Sequence, residues 1–156
     1  MSSLHKRLTA EEIDHIINYC CIKLNCPNTF TWKWNSRFRT KLGLAYTTSG
    51  RMEFSTFLFE RVDSAAQTNT VVHETCHLIA WKLYKDRGHG KYWKWCMRRL
   101  GHEPKRCHSF DFREHKHHVE CACGKRPIGP LRYKRMLNGV KYSCSICREV
   151  VKPIGV

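Results

Sequence analysis

Five consecutive residues, His73-Glu74-Thr75-Cys76-His77, constrain this chain more than any others. Positions four apart on an α-helix share one face, with Cβ atoms roughly 5–6 Å apart. The flanking Val71, Val72, Ile79 and Ala80 predict a helix from about residue 64 to 84 with an apolar stripe, so the motif belongs to a core element. Two imidazoles held this way can bind one zinc ion. Glu74 is rotated from His73 by about 100°, where it can act on a water without ligating the metal. Zinc lowers the pKa of such a water to about 7, and a neighbouring carboxylate can take its proton and deliver it to a leaving amine. This is the arrangement of metal-dependent peptide hydrolysis.

A catalytic zinc needs a third protein ligand and an open fourth position. The extended motif with a third histidine six residues on is absent, because Ala80 and Leu83 occupy the positions that would carry its glycine and histidine. His89 is the favoured third ligand, since Gly88 and Gly90 let the backbone turn it back to the helix. Glu103 and His102 are the alternatives. The oxyanion-stabilising donor is left open among Arg106, His108 and a tyrosine.

The rest of the core reads as mixed α and β structure. Thr9 and Glu12 form a capping box, with Leu8 and Ile13 as a hydrophobic staple across it. Ile13, Ile16, Ile17, Cys20 and Leu24 then mark one buried helical face, ended at Pro27. Cys20, Cys21 and Cys26 lack metal-ligand spacing and read as small apolar fillers. Phe30, Trp32 and Trp34 alternate as on a strand; Leu44 with Tyr46, and Met52 with Phe54, suggest two more. Together these predict a small antiparallel sheet. Tyr92, Trp93, Cys96 and Leu100 mark a further amphipathic helix, stopped at Gly101.

Beyond Pro104 apolar residues thin out, and burial alone cannot hold the segment together. Cys121 and Cys123 are separated by 20 residues from Cys144 and Cys147. Two close pairs around a hairpin-sized insert are the pattern of a zinc ribbon, closed by four thiolates. Because the first pair is C-x-C rather than C-x-x-C, Cys107, His117 or His118 are possible substitutes. Ten cysteines without an export signal fit a reducing compartment, cytoplasmic or nucleoid-associated (nuclear in a eukaryote), and the longest apolar run is too short to span a membrane.

The 156 residues carry a net charge of +15, unevenly placed. Residues 1–84 hold 10 basic and 7 acidic side chains, and residues 85–156 hold 18 and 6. Such a field predicts a polyanionic partner, most simply nucleic acid. The insert between the cysteine pairs supplies Lys125, Arg126, Arg132, Lys134 and Arg135 for phosphates, with Tyr133 interleaved for stacking on a base. No base-reading element is evident, so binding is expected to be sequence-independent.

His-Glu-Thr-Cys-His followed by Gly88-His89-Gly90, Tyr92 and Trp93 resembles the SprT-like zinc metalloproteases, the group that includes Spartan. Trp34-Asn35-Ser36-Arg37, Gly43 and Met52-Glu53-Phe54-Ser55 are similar in order to that family's strand region. The resemblance covers roughly residues 8–150. It implies a zincin-like helical core with a small sheet (1–112) followed by a zinc-ribbon subdomain (113–156), an α+β chain. It implies catalytic zinc on His73, His77 and His89, Glu74 as general base, and structural zinc on Cys121, Cys123, Cys144 and Cys147, two ions in all. It further implies a monomeric endopeptidase acting on DNA-bound or DNA-crosslinked proteins in the presence of single-stranded DNA or a junction. The competing reading is a non-catalytic nucleic-acid-binding module in which both metals are structural.

Overall fold

A computed structural model describes residues 3–106 and 117–155. The chain divides into two compact units, Met1–Phe112 and Arg113–Val156.

The first unit opens with α1 (Ala10–Lys23), set by the capping box: Glu12 N–H donates to Thr9 Oγ1 at 3.2 Å, and Thr9 N–H donates to Glu12 Oε2 at 2.7 Å. Its Ile13, Ile17, Cys20 and Cys21 are buried, and Cys26 beyond the helix is buried too, so these thiols pack as apolar filler. Burial pushes Cys20 and Cys21 up to about 12, which keeps them protonated and inert.

Strands β1 (Thr31–Asn35), β2 (Gly43–Tyr46) and β3 (Arg51–Ser55) form one sheet in the order β1-β3-β2. The expected all-antiparallel sheet is corrected here. β2 pairs antiparallel with β3, but β1 runs parallel to it, Trp32 opposite Met52 and Trp34 opposite Phe54. The chain passes from β1 to the far edge at β2 before returning to the centre, so β1 and β3 point the same way. Trp32 and Trp34 pack towards Phe54 and Phe59 with ring centroids 5.3–6.0 Å apart, which makes these aromatics part of the core.

A short α2 (Thr56–Phe59) leads into α3 (Ser64–Tyr84), capped by Asp63, whose carboxylate accepts from Ala66 N–H at 2.8 Å. Gln67 on α3 is fully buried and fully used. Its amide donates to the carbonyls of Lys6, Phe59 and Val62 and accepts from Leu8 N–H, tying the N-terminal segment to the helix. After Lys85, which takes a left-handed conformation at φ 55°, the chain turns into α4 (Lys91–Arg99). Trp93, Cys96 and Met97 bury the inner face of α4, and Gly101 at φ 78° ends it.

The second unit has β4 (His118–Cys121), β5 (Gly124–Pro127) and β6 (Lys152–Ile154) in the antiparallel order β5-β4-β6, with α5 (Pro130–Leu137) between β5 and β6. The insert between the cysteine pairs is therefore a strand followed by a helix, not a plain hairpin. Pro130 at the first turn of α5 is the residue type that pre-sets helical φ. Buried apolar side chains are few: Val119, Tyr133, Met136 and Cys144 among the described residues. No helix among the described residues is long and apolar enough to cross a membrane.

Candidate metal centre and its surroundings

The one-face geometry of α3 brings His73 and His77 together, and the 85–90 loop delivers His89 to them. His73 Nε2 lies 3.1 Å from His89 Nε2 and 3.2 Å from His77 Nε2. Tetrahedral zinc with bonds of 2.0–2.1 Å holds its nitrogens roughly 3.3 Å apart, so three imidazoles with the same nitrogen turned to a common point fit a zinc ion. Burial and the neighbouring His89 push His77 down to about 4; burial followed by the charges of Arg106 and Lys94 pushes His89 down as well. Both imidazoles are thus held in the neutral form that ligates metal. A hydrogen bond to the Gly88 backbone orients the His77 ring.

Trp93 forms the floor. Its ring lies 4.5–5.3 Å from all three imidazoles, and its indole N–H donates to the His73 carbonyl at 3.3 Å. Glu103 and His102, the alternative ligands, are placed elsewhere. Glu103 is exposed beside Lys105 Nζ at 3.3 Å, and His102 Nδ1 lies 2.9 Å from Asn69 Oδ1. Arg106 is near enough for its charge to act on His89, whereas His108 falls outside the described residues.

Glu74 is buried at the sheet side of the trio. Burial raises its carboxyl to about 8, against the lowering influence of the Ala45 backbone N–H it accepts and of the Lys41 charge. β2 can come this close only because of Gly43. A Cβ there would stand 2.9 Å from Glu74 Cγ and 3.1 Å from both Phe54 Cδ1 and Thr70 Cγ2. The outer edge of β2, which pairs with no strand among the described residues, and the 85–90 loop together border a cleft of about 330 Å³ lined by Leu44, Ala45, Thr47, Glu74, His77 and Gly88.

Two organising residues carry no motif that a sequence reading could use. Asp86 caps α4 from outside, accepting from Tyr92 N–H at 2.7 Å and Trp93 N–H at 3.2 Å, and its carboxylate lies so close to Gly90 that a Cβ there would displace it. It thereby closes the loop that presents His89. Glu53 lies on the sheet face away from α3 yet is almost fully buried. Asn35 Nδ2 donates to it at 2.6 Å, while Lys33 and Arg51 approach at 3.3 and 3.6 Å; the Asn35 hydrogen bond, more than either cation, holds its carboxyl below the usual range. The Tyr46 hydroxyl is also turned to Glu53, at 3.4 Å.

Asp86→Ala should destabilise the first unit by about 1 kcal/mol, the worth of a helix cap. It should also weaken metal binding about 10- to 100-fold, as loss of an outer-shell support does. Asp86→Asn, which keeps a capping oxygen, should retain most of both. Thermal unfolding and competition with a chromophoric chelator measure the pair; an Ala variant that binds metal like wild type would remove Asp86 from the site's support.

In the second unit the four sulfurs of Cys121, Cys123, Cys144 and Cys147 lie within 4.8 Å of one another, a donor set that fits a closed four-thiolate site. The tight C-x-C pair is accommodated because Cys121 pairs with Gly124 across the β4–β5 turn, where Gly124 takes φ 101°. Backbone amides of Cys147 and Ile146 push Cys144 down to about 6, favouring the thiolate. Glu149 bridges the two knuckles, its carbonyl accepting from Cys144 N–H at 2.8 Å and its carboxylate from Ala122 N–H at 3.1 Å. His117 and His118 are not in the cluster, and Cys107 lies outside the described residues.

The basic insert is only partly as expected. Lys125, Arg132, Lys134 and Arg135 are exposed and Arg126 is half-buried. Tyr133 is corrected: its ring is buried in a 4.3 Å stack on His117, and its hydroxyl donates to the Ile154 carbonyl at 3.1 Å. It packs the subdomain and has no face to offer a base.

Comparison with known proteins gives a consistent result. The SprT-like family matches residues 10–128, which include all three histidines, Glu74 and the first cysteine pair. The chain belongs to the SprT-like family. Proteins named SprT from Pseudomonas putida KT2440, Pseudomonas fluorescens Pf-5 and Pseudomonas entomophila L48 are 31%, 29% and 29% identical to it. Each alignment covers 71% of this chain and 73% of the relative. No solved structure matches it. As a SprT-like chain it places the family match across the α1–α4 core and the start of the cysteine-bearing unit.

Proposed function

We propose that this SprT-like chain is a zinc-dependent endopeptidase acting on proteins bound or crosslinked to DNA. The observation that carries the peptidase reading is the convergence of three Nε2 atoms beside a buried carboxylate at an open cleft. His73, His77 and His89 would hold the ion; bound zinc supplies a Lewis acid for the scissile carbonyl and acidifies water. Glu74 would take the proton of the attacking water and pass it to the leaving amine. The outer edge of β2 pairs with no strand among the described residues, so an extended peptide can add there as a strand beside the Ala45 N–H that Glu74 holds, leading its scissile bond past Glu74. A structural zinc on the four cysteines would hold the second unit together. The reading is tested with zinc-loaded chain and a DNA-bound protein substrate, with single-stranded DNA, duplex DNA, RNA or none. Cleavage that needs zinc and rises with DNA supports it; zinc-loaded chain that cleaves no flexible protein under any condition would leave the non-catalytic binding module in its place.

The polyanion reading rests on the charge of residues 85–156 and on the exposed cations of β5 and α5. Affinity should fall with salt at a slope of about −0.7 per phosphate contact for single strands. Replacing Lys125, Arg126, Arg132, Lys134 and Arg135 together by glutamine should flatten that slope while zinc content stays the same. An unaltered slope would mean these cations do not face the polyanion.

A further inference from the structure

With Tyr133 packed away, the exposed rings of the chain lie elsewhere. Tyr84, at the end of α3, and Tyr92, on α4, stack face to face at 4.0 Å with planes 6° apart; Lys91 Nζ lies over the Tyr92 ring at 5.5 Å, and Trp95 stands edge-on to Tyr84 at 6.3 Å. The three aromatic residues are 41%, 36% and 44% exposed. Rings this exposed on consecutive turns contribute little to the core, and contiguous exposed apolar surface marks an interaction site.

The charge around them narrows the partner. From Leu83 to Gly101 the chain carries six cations, Lys85, Arg87, Lys91, Lys94, Arg98 and Arg99, all exposed, and a single acid. That acid, Asp86, is occupied by the α4 amides. A protein partner would ordinarily meet both signs of charge. Aromatic rings set among cations, with no acid left over, match a strand that presents phosphates on one side and unpaired bases on the other.

We propose that the outer face of Tyr84 and the ring of Trp95, braced by Tyr92, form a base-stacking platform for single-stranded nucleic acid on the first unit itself. Tyr84 follows His77 by two helical turns, roughly 10 Å along α3, and Tyr92 follows His89 by three residues. A strand stacked there brings protein attached to it within reach of the cleft. This consequence rests on the peptidase reading, but the binding does not.

The test is fluorescence anisotropy of the full zinc-loaded chain with a labelled oligothymidylate, a duplex, and an abasic strand of the same length. Each ring removed, in Tyr84→Ala and Trp95→Ala, should weaken oligothymidylate binding roughly 5- to 150-fold. Tyr84→Phe and Trp95→Phe should bind nearly as wild type, and tryptophan fluorescence should be quenched on binding. Zinc content and DNA-independent cleavage should be unchanged, which separates failure of the platform from failure of the peptidase reading. Abasic strand or duplex bound as tightly as oligothymidylate would overturn stacking, as would alanine variants with wild-type affinity. A self-associated chain that these alanine variants dissociate, without oligonucleotide binding, would reassign the platform to a protein contact.

Discussion

Glu74→Gln should keep its zinc and its fold and lose cleavage by about 100- to 10,000-fold, the usual contribution of general-base catalysis. The amide is nearly the same size as the carboxyl, so it fits the close space beside Gly43 and can still accept from Ala45 N–H. It cannot take a proton from water at neutral pH. His77→Ala should be equally inactive for a different reason, loss of the ion. The decisive comparison is therefore the glutamine variant against wild type, both shown by elemental analysis to carry two zinc ions. Cleavage that survives in the glutamine variant would overturn the mechanism.

The second large effect belongs to the cysteine cluster. Structural zinc contributes on the order of 10–16 kcal/mol to folding at neutral pH, and the second unit has only four buried apolar side chains among its described residues to replace it. Cys144→Ala or Cys147→Ala should drop the metal count from two to one and remove amide protection from β4, β5 and α5. The α1, α3 and α4 helices, with their own core, should stay protected. Retained protection of the β4–β5 turn in both variants would show that packing, not metal, holds this unit.

What the sequence made legible was local. The capping box of α1, the extent of α3 and the one-face placement of His73 and His77 follow from spacings of three and four residues. Sheet direction does not: alternation at Trp32–Trp34 and Met52–Phe54 states that strands exist and which face is apolar, but parallel and antiparallel pairing alternate alike. Glu53, between Met52 and Phe54, reads as a solvated outer-face residue; its burial depends on Asn35 of β1 and Tyr46 of β2, which reach it only once the sheet has formed. Asp86 is a lone acid in a loop until α4 folds onto it. α5 has local signals in Pro130 and the Tyr133–Met136 spacing, but a cysteine pair on either side reads equally as the frame of a hairpin. Tyr133 illustrates the same limit: an aromatic among cations has one sequence signature whether its ring meets a base or a neighbouring histidine.

The division of the three histidines between a helix and a loop sets an order of assembly. His73 and His77 become neighbours as soon as one stretch of α3 winds, but His89 joins them only once α4 has docked through Trp93 and Asp86 has closed the turn. A chain still emerging from the ribosome therefore carries an incomplete centre. A complete set of three metal donors is thus a late product of folding, present only after the tertiary contacts of α4 have formed.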